Sequence, residues 1–321
     1  MKPFRERLQY VPIALFAVVM GLAGLTIAWE KAGEVFGVPV AIGSILAGVT
    51  SLAFVAVAAL YGLKLATHPG AVRADLQHPV RLNFFPTISI SLILLSIILL
   101  PLIPWLARPF WIAGSALHLG LLLYVLNAWM HHEHFEIKHM NPAWFIPAVG
   151  NVLVPISGVP LGFVEISWFF FSVGIVFWII LFTIIIYRML FHNPMEARLM
   201  PTLFILIAPP AVGFLAYQRL VGELDTLARI LFFTALFLTL LLLTQIKHFL
   251  RLPFFISWWA YTFPIAAITV ATMVMHQLNP TALYPIFAAV LLAALTLLVG
   301  WLLVRTIRGL VLGHLLAPEG G

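Results

Sequence analysis

Residues 165–190 read EISWFFFSVGIVFWIILFTIIIYRML, with no charged residue between Glu165 and Arg188. As a helix rising ~1.5 Å per residue, the uncharged part alone would extend roughly 33 Å. The hydrocarbon core of a bilayer is ~30 Å thick. A helix at a water-facing surface needs one polar side, and this stretch has none. It reads as a transmembrane helix, and that reading decides the fold class.

Similar stretches lie on both sides of it. They predict spans at 10–29, 39–65, 83–106, 109–130, 143–161, 165–190, 199–218, 226–247, 254–276 and 282–305. The chain, 1–321, then forms a single all-α transmembrane domain whose short connections carry nearly all the charge. Composition agrees: 63% of residues are hydrophobic and 9% charged, with mean hydropathy +1.10. Soluble domains run at about 45–50% apolar and about 25% charged. The opening MKPFRERLQY at 1–10 is basic and leads into an apolar run without a small-residue cleavage site, so it reads as the approach to a first helix. Absence of cysteine excludes disulfides, thiolate metal sites and cysteine nucleophiles.

A net charge of +6 could suggest nucleic acid, but in a membrane protein it reads as topology. With the N-terminus inside, the inner connections hold Lys2, Arg5, Arg7, Lys64, Arg73, Arg81, Lys138, Arg188, Arg198, Lys247, Arg251, Arg305 and Arg308. The outer side holds Lys31, Arg108, Arg219 and Arg229. That bias predicts cytoplasmic termini and an even number of spans.

Proline recurs inside the odd spans, at Pro12, Pro86, Pro147, Pro209 with Pro210, and Pro264. Successive members are 74, 61, 62 and 55 residues apart, about one helical hairpin each. Proline within a helix removes a hydrogen bond and bends the axis. In a bilayer the freed backbone groups need protein or water as partners. The chain therefore reads as five hairpins, with kinked odd helices in an inner ring around a central pore and straighter even helices outside.

Little chemistry is visible within the spans. Glu165, Asp225 and Arg229 fall near predicted outer ends, where charge is interfacial. No Asp or Glu is placed as a proton relay, which disfavours ion coupling. His118 is the histidine nearest mid-membrane and reads as a hydrogen-bonded packing residue. In MHHEHFEIKHM, His131, His132, His134 and His139 lie with Glu133 and Glu136, and His132, Glu136 and His139 could share a helical face. A polar cytoplasmic connection is the simpler reading, so no metal or cofactor is expected. No phosphate-cradling loop or nucleophile with a base can be assembled, and an enzyme reading is poor. Lys64, Arg73, Arg81, Arg188, Arg198, Lys247 and Arg251 would make a positive cytoplasmic mouth that attracts anions. Phe263 precedes Pro264 roughly ten residues into the ninth span, near ~15 Å depth, beside Ala266 and Ala267. A bulky ring there could plug a narrow pore, since apolar constrictions exclude water and ions.

Several strings together resemble the tellurite-resistance/dicarboxylate transporter family, which includes bacterial TehA proteins and the plant guard-cell slow anion channels. They are VRADLQHPVR at 72–81, FIPAVGN at 145–151, APPAV at 208–212, GELDTLARIL at 222–231 and WAYTFP at 259–264. The resemblance implies a homotrimer of independent pores in a bacterial inner membrane, ten helices per protomer, and odd helices lining each pore. It also implies that Phe263 matches the phenylalanine that occludes the pore. Family members conduct chloride or nitrate, or move malate, sulfite or tellurite-related anions. The plant channels are switched through long termini, a regulation not expected for these 321 residues. Two functions follow: a passive channel for small anions gated by Phe263, or a coupled carrier for C4-dicarboxylates or related oxyanions. The uncharged spans favour the first, and kinked helices disfavour a non-transporting scaffold.

Overall fold

Helices account for every regular element among the described residues of the computed structural model, which are 4–131 and 135–316. Nine are long and apolar enough to cross a bilayer: Ile13–Phe36, Val40–Thr67, Arg81–Leu99, Pro104–His131, Val164–Phe191, Met200–Val221, Thr226–Thr244, Ile256–Leu278 and Leu283–Val311. A shorter apolar helix, Pro142–Gly158, stands fifth in chain order. The protein is an all-α integral membrane protein. The ten pieces are called segments one to ten below.

Burial sorts the segments into two layers. Between 67% and 78% of the apolar window is buried in segments one, three, seven and nine, against 17–39% in two, four, six, eight and ten. In segment five, all residues but Trp144 and Ile156 are buried. The odd segments are therefore the interior. The even ones turn large apolar side chains such as Ile45, Phe169, Phe237 and Leu297 outward. Water penalises such a continuous apolar exterior, whereas lipid does not.

Close packing holds the inner layer together. Segment one meets segment nine where Gly21 lies against Trp259 and Thr262, and Gly24 against Ala266 and Phe263. A Cβ on Gly24 would stand 2.7 Å from that of Ala266, so only glycine permits this approach. Small residues serve this purpose generally in membrane helices, where dispersion between close backbones replaces the hydrophobic effect.

Each odd segment begins with a 3₁₀ turn and continues as α-helix. The turns are Ile13–Leu15, Arg81–Phe84, Pro142–Trp144, Met200–Ile207 and Ile256–Tyr261. The α-helices that follow are Phe16–Phe36, Thr87–Leu99, Phe145–Val149, Ala208–Val221 and Thr262–Leu278. The recurrent prolines other than Pro12 sit at these junctions. Pro12 precedes the first 3₁₀ turn and Pro86 precedes Thr87. Pro147, Pro209, Pro210 and Pro264 lie within the first three positions of their α-helices. Amides in a first turn have no intrahelical acceptor, so proline is tolerated there. Hydroxyls cover carbonyls at the junctions: Ser89 donates to Pro86 O at 2.8 Å and Thr262 to Trp259 O at 2.7 Å.

Two places depart from the sequence expectation. The turn between segments three and four was expected near 106–109, but the helix ends at Leu99 and the next begins at Pro104. Pro101 cannot extend the first, and Pro104 suits the first position of the second. Segment five is not one helix but four short pieces: 3₁₀ turns Pro142–Trp144 and Gly150–Leu153 alternate with α-turns Phe145–Val149 and Val154–Gly158. With 3₁₀ residues rising ~2.0 Å and α residues ~1.5 Å, its contour is roughly 29 Å, close to the bilayer core. Side chains supply partners within it. Asn151 donates to Ala148 O at 2.7 Å, and Trp111 of segment four donates its indole N–H to Val154 O at 2.9 Å.

Candidate functional site: two chambers meeting at Phe263

The odd segments enclose two cavities. The smaller, about 50 Å³, is lined by apolar side chains and Gly150. Met20, Ile90, Ile146, Ile205 and Phe263 each bring a different odd segment to its wall. The larger, about 650 Å³, again draws on all five, through Gly24, Leu94, Ile156, Leu215 and Ala266 among others. Along each segment, residues of the small chamber come earlier than those of the large one. The two chambers therefore follow one another along the axis of the inner layer.

Phe263, Leu153 and Val212 border both chambers. The partition is made of these three apolar side chains, and Phe263 is the largest. The small chamber has a volume near that of one or two water molecules but offers no polar side chain to hold them. An ion passing it would shed its hydration without replacement, at a cost of many kcal/mol. Phe263 stands at the border of the two chambers. Pro264 is buried behind it, third in its α-helix.

The chamber ends differ in charge. At the end where the odd segments begin, Asp75 is buried between Lys64 Nζ at 2.5 Å and Arg81 Nη1 at 2.9 Å. Lys64 also donates to the Val11 carbonyl at 2.8 Å, just before Pro12, and lies over the Tyr61 ring. Lys64 is thus a buried structural cation, 2% exposed, and not a charge presented to solvent. Arg188 is also buried, with Nε directed at the Ile137 carbonyl at 3.4 Å. Arg73, Arg198, Lys247 and Arg251 are exposed, Arg198 beside Glu196 at 2.8 Å. Lys2 of the inner charge count lies outside the described residues.

At the other end, Glu30, Lys31, Glu34, Gln218 and Arg219 ring the mouth of the large chamber. Glu30 lies one residue past the predicted end of the first span, 10–29, whereas the helix continues to Phe36 and carries it to the chamber wall. Asp225 caps segment eight instead of facing the axis. It accepts from Ala228 N–H at 2.9 Å and from the Tyr217 hydroxyl, and that amide bond first of all holds its carboxyl below the usual carboxylate range.

His118 is fully buried beside Gly150. Since the Ser89 hydroxyl donates to Pro86 O, His118 Nδ1–H donates to Ser89 Oγ, at 2.9 Å. In the histidine run, His131 bonds the Asn127 carbonyl at 3.0 Å, and His139 Nδ1 accepts from Glu136 N–H at 3.1 Å. Lys138 at 2.9 Å holds the exposed Glu136 carboxyl below its usual range. His132, Glu133 and His134 lie outside the described residues, so of the face formed by His132, Glu136 and His139 only Glu136 and His139 are described.

Residues 10–307 match the family described as SLAC1, voltage-dependent anion channel. The S-type anion channel SLAH3 of Arabidopsis thaliana is 29% identical over 303 residues, 92% of this chain and 48% of its own length. SLAH2 of the same plant is 30% identical over 272 residues, 82% of this chain and 52% of its own. The chain thus spans about half the length of these plant relatives. A tellurite resistance protein TehA homolog of Haemophilus influenzae is 28% identical over 307 residues, 95% of this chain and 92% of its own length.

Proposed function

We propose, on the premise that this chain belongs to the voltage-dependent anion channel family SLAC1, that it forms a passive pathway for small anions which Phe263 holds shut. The observation that carries this reading is the position of one ring at the border of two chambers walled by every odd segment. The ring can be withdrawn without breaking a polar contact, and the path then joins a vestibule of about 650 Å³ to the small chamber. Pro12, ahead of its 3₁₀ turn, and the 3₁₀-to-α junctions at Pro86, Pro147, Pro209, Pro210 and Pro264 are where the inner segments would flex. Exposed Arg73, Arg198, Lys247 and Arg251 then make the cytoplasmic mouth positive, with both termini on that side of a bacterial inner membrane. The S-type anion channels among the relatives favour anions as cargo, and flow follows the anion's own gradient.

Phe263→Ala tests the gate. Reconstituted with chloride as the main anion, this variant should conduct strongly where the parent is closed, and should melt at nearly the parent temperature. A ring that serves only as packing would instead cost ~3–5 kcal/mol on removal and open nothing. A stable but closed variant places the gate elsewhere. Assembly is proposed as three copies, each with its own path, and native mass spectrometry from mild detergent should show the trimer. A conducting monomer would count against it.

A further inference from the structure

Glu30 is the acidic group that the pathway reading leaves without a role. It lies on segment one, an inner segment, and lines the large chamber together with Gly24, Ile27 and Trp29 of the same helix. Its Oε1 is buried and has no hydrogen-bond partner. Its stem is pressed by segment two, where a Cβ on Gly43 would come within 2.8 Å of Glu30 Cγ. A carboxylate is therefore held in a fixed place at the vestibule wall with one oxygen unsatisfied.

The groups around it do not neutralise it. Lys31, next in sequence, is bound to Glu34 at 2.6 Å. Arg219 of segment seven lines the same chamber and is exposed. The other walls bring nothing titratable: Val40 and Ser44 from segment two, Leu102 beyond segment three, Pro160 beyond segment five and Val274 from segment nine. Segment ten contributes Thr296, which accepts from the Trp29 indole N–H at 3.1 Å.

We infer that Glu30 is a specificity-determining residue of the vestibule: as a carboxylate it keeps anions out, and on taking up a proton from the vestibule side it lets them in. The inference rests on the anion-pathway reading for its consequence. Its physical basis is Coulombic. A unit charge at the wall of this chamber of about 650 Å³ acts on an entering anion through protein and confined water, which screen it less than bulk solvent does. Protonation removes that repulsion and also lowers the cost of the unsatisfied oxygen, because an unpaired neutral acid is far cheaper to bury than an unpaired carboxylate. The other charged residues of the lining are Lys31, Glu34 and Arg219, so neutralising Glu30 turns the vestibule from mixed to net positive.

Trp29 provides a readout that does not depend on the gate. Trp29 is a lining residue of the same chamber. Iodide quenching attributable to Trp29 is obtained in detergent as the difference between the parent and Trp29→Phe. This difference should rise several-fold as the buffer goes from alkaline to mildly acidic. Glu30→Gln should quench strongly at every pH, Glu34→Gln should retain the pH step, and neutral acrylamide should show no step in any of them. A Glu30→Gln protein with the parent's pH step, or a step that disappears with Glu34→Gln, overturns the assignment. Flux supplies the functional arm. In Phe263→Ala liposomes, acid on the vestibule side should increase chloride flux, and adding Glu30→Gln should make the flux high and independent of pH. If Phe263→Ala passes no anion, the pathway reading fails while the quenching still decides Glu30.

Discussion

Asp75 shows what one residue does at the end of the bundle where the odd segments begin. It joins the end of segment two, through Lys64, to the start of segment three, through Arg81. Through Lys64 it also reaches the Val11 carbonyl ahead of segment one. Removing one partner of a buried pair strands the other, typically at ~3–5 kcal/mol. Asp75→Asn should therefore lower the melting point sharply. Arg81→Gln should cost much less, since Arg81 is partly exposed and its charge can be solvated. An Asp75→Asn protein as stable as the parent, or a larger loss from Arg81→Gln, would show that the cluster is not what ties these ends together. Lys64 and Arg81 were legible in the sequence as basic residues near helix ends. Their shared anion was not, because Asp75 and Lys64 are 11 residues apart across the His68 turn and the helix Pro69–Gln77.

At the scale of elements, segment five is the most informative. Pro142, Pro147 and Pro155 with Gly150 and Gly158 break it into short turns, and the 3₁₀ pieces lengthen it. Such a segment cannot bond all its own carbonyls, and in lipid each unsatisfied group is expensive. Segment four repairs one defect, Trp111 Nε1 donating to Val154 O at 2.9 Å. Trp111→Phe keeps most of the packing and removes that donor, so it should cost ~1–3 kcal/mol. Hydrogen exchange should rise locally at 154–159 while the rest of the inner layer keeps its protection. Unchanged exchange there would mean that water or another group already serves the carbonyl. The prolines were visible in the sequence, but not their location. A proline read inside a span suggests a kink in mid-helix, whereas these sit where a 3₁₀ turn hands over to an α-helix, a junction that depends on the neighbours each turn packs against.

At the scale of the whole molecule, charge and burial divide the labour. Even segments face lipid, odd segments face the axis, and the exposed cations Arg73, Lys247 and Arg251 stand at one end. Neutralising those three together, while leaving Arg81 to its structural role, should reduce anion flux through Phe263→Ala protein at low ionic strength. The deficit should shrink in strong salt, as the Debye length falls from ~30 Å at 0.01 M to ~3 Å at 1 M. Equal flux at low salt would limit these cations to setting topology.

The sequence by itself determined that this chain is an all-helical membrane protein of the anion channel family, because apolar run length, charge bias and contiguous motifs are local properties that survive without coordinates. It also singled out Phe263, through the aromatic next to Pro264 and the string around it. Only the tertiary structure decided which face of each segment turns inward. The spans are apolar nearly all round, so no 3.6-residue periodicity marks a buried side. It likewise decided that Phe263, Leu153 and Val212 meet between two chambers, that Lys64 is spent on Asp75, and that Glu30 looks into the vestibule unpaired at one oxygen. Each of these is a meeting of residues from different segments, set by how the helices pack against one another rather than by any stretch of chain alone.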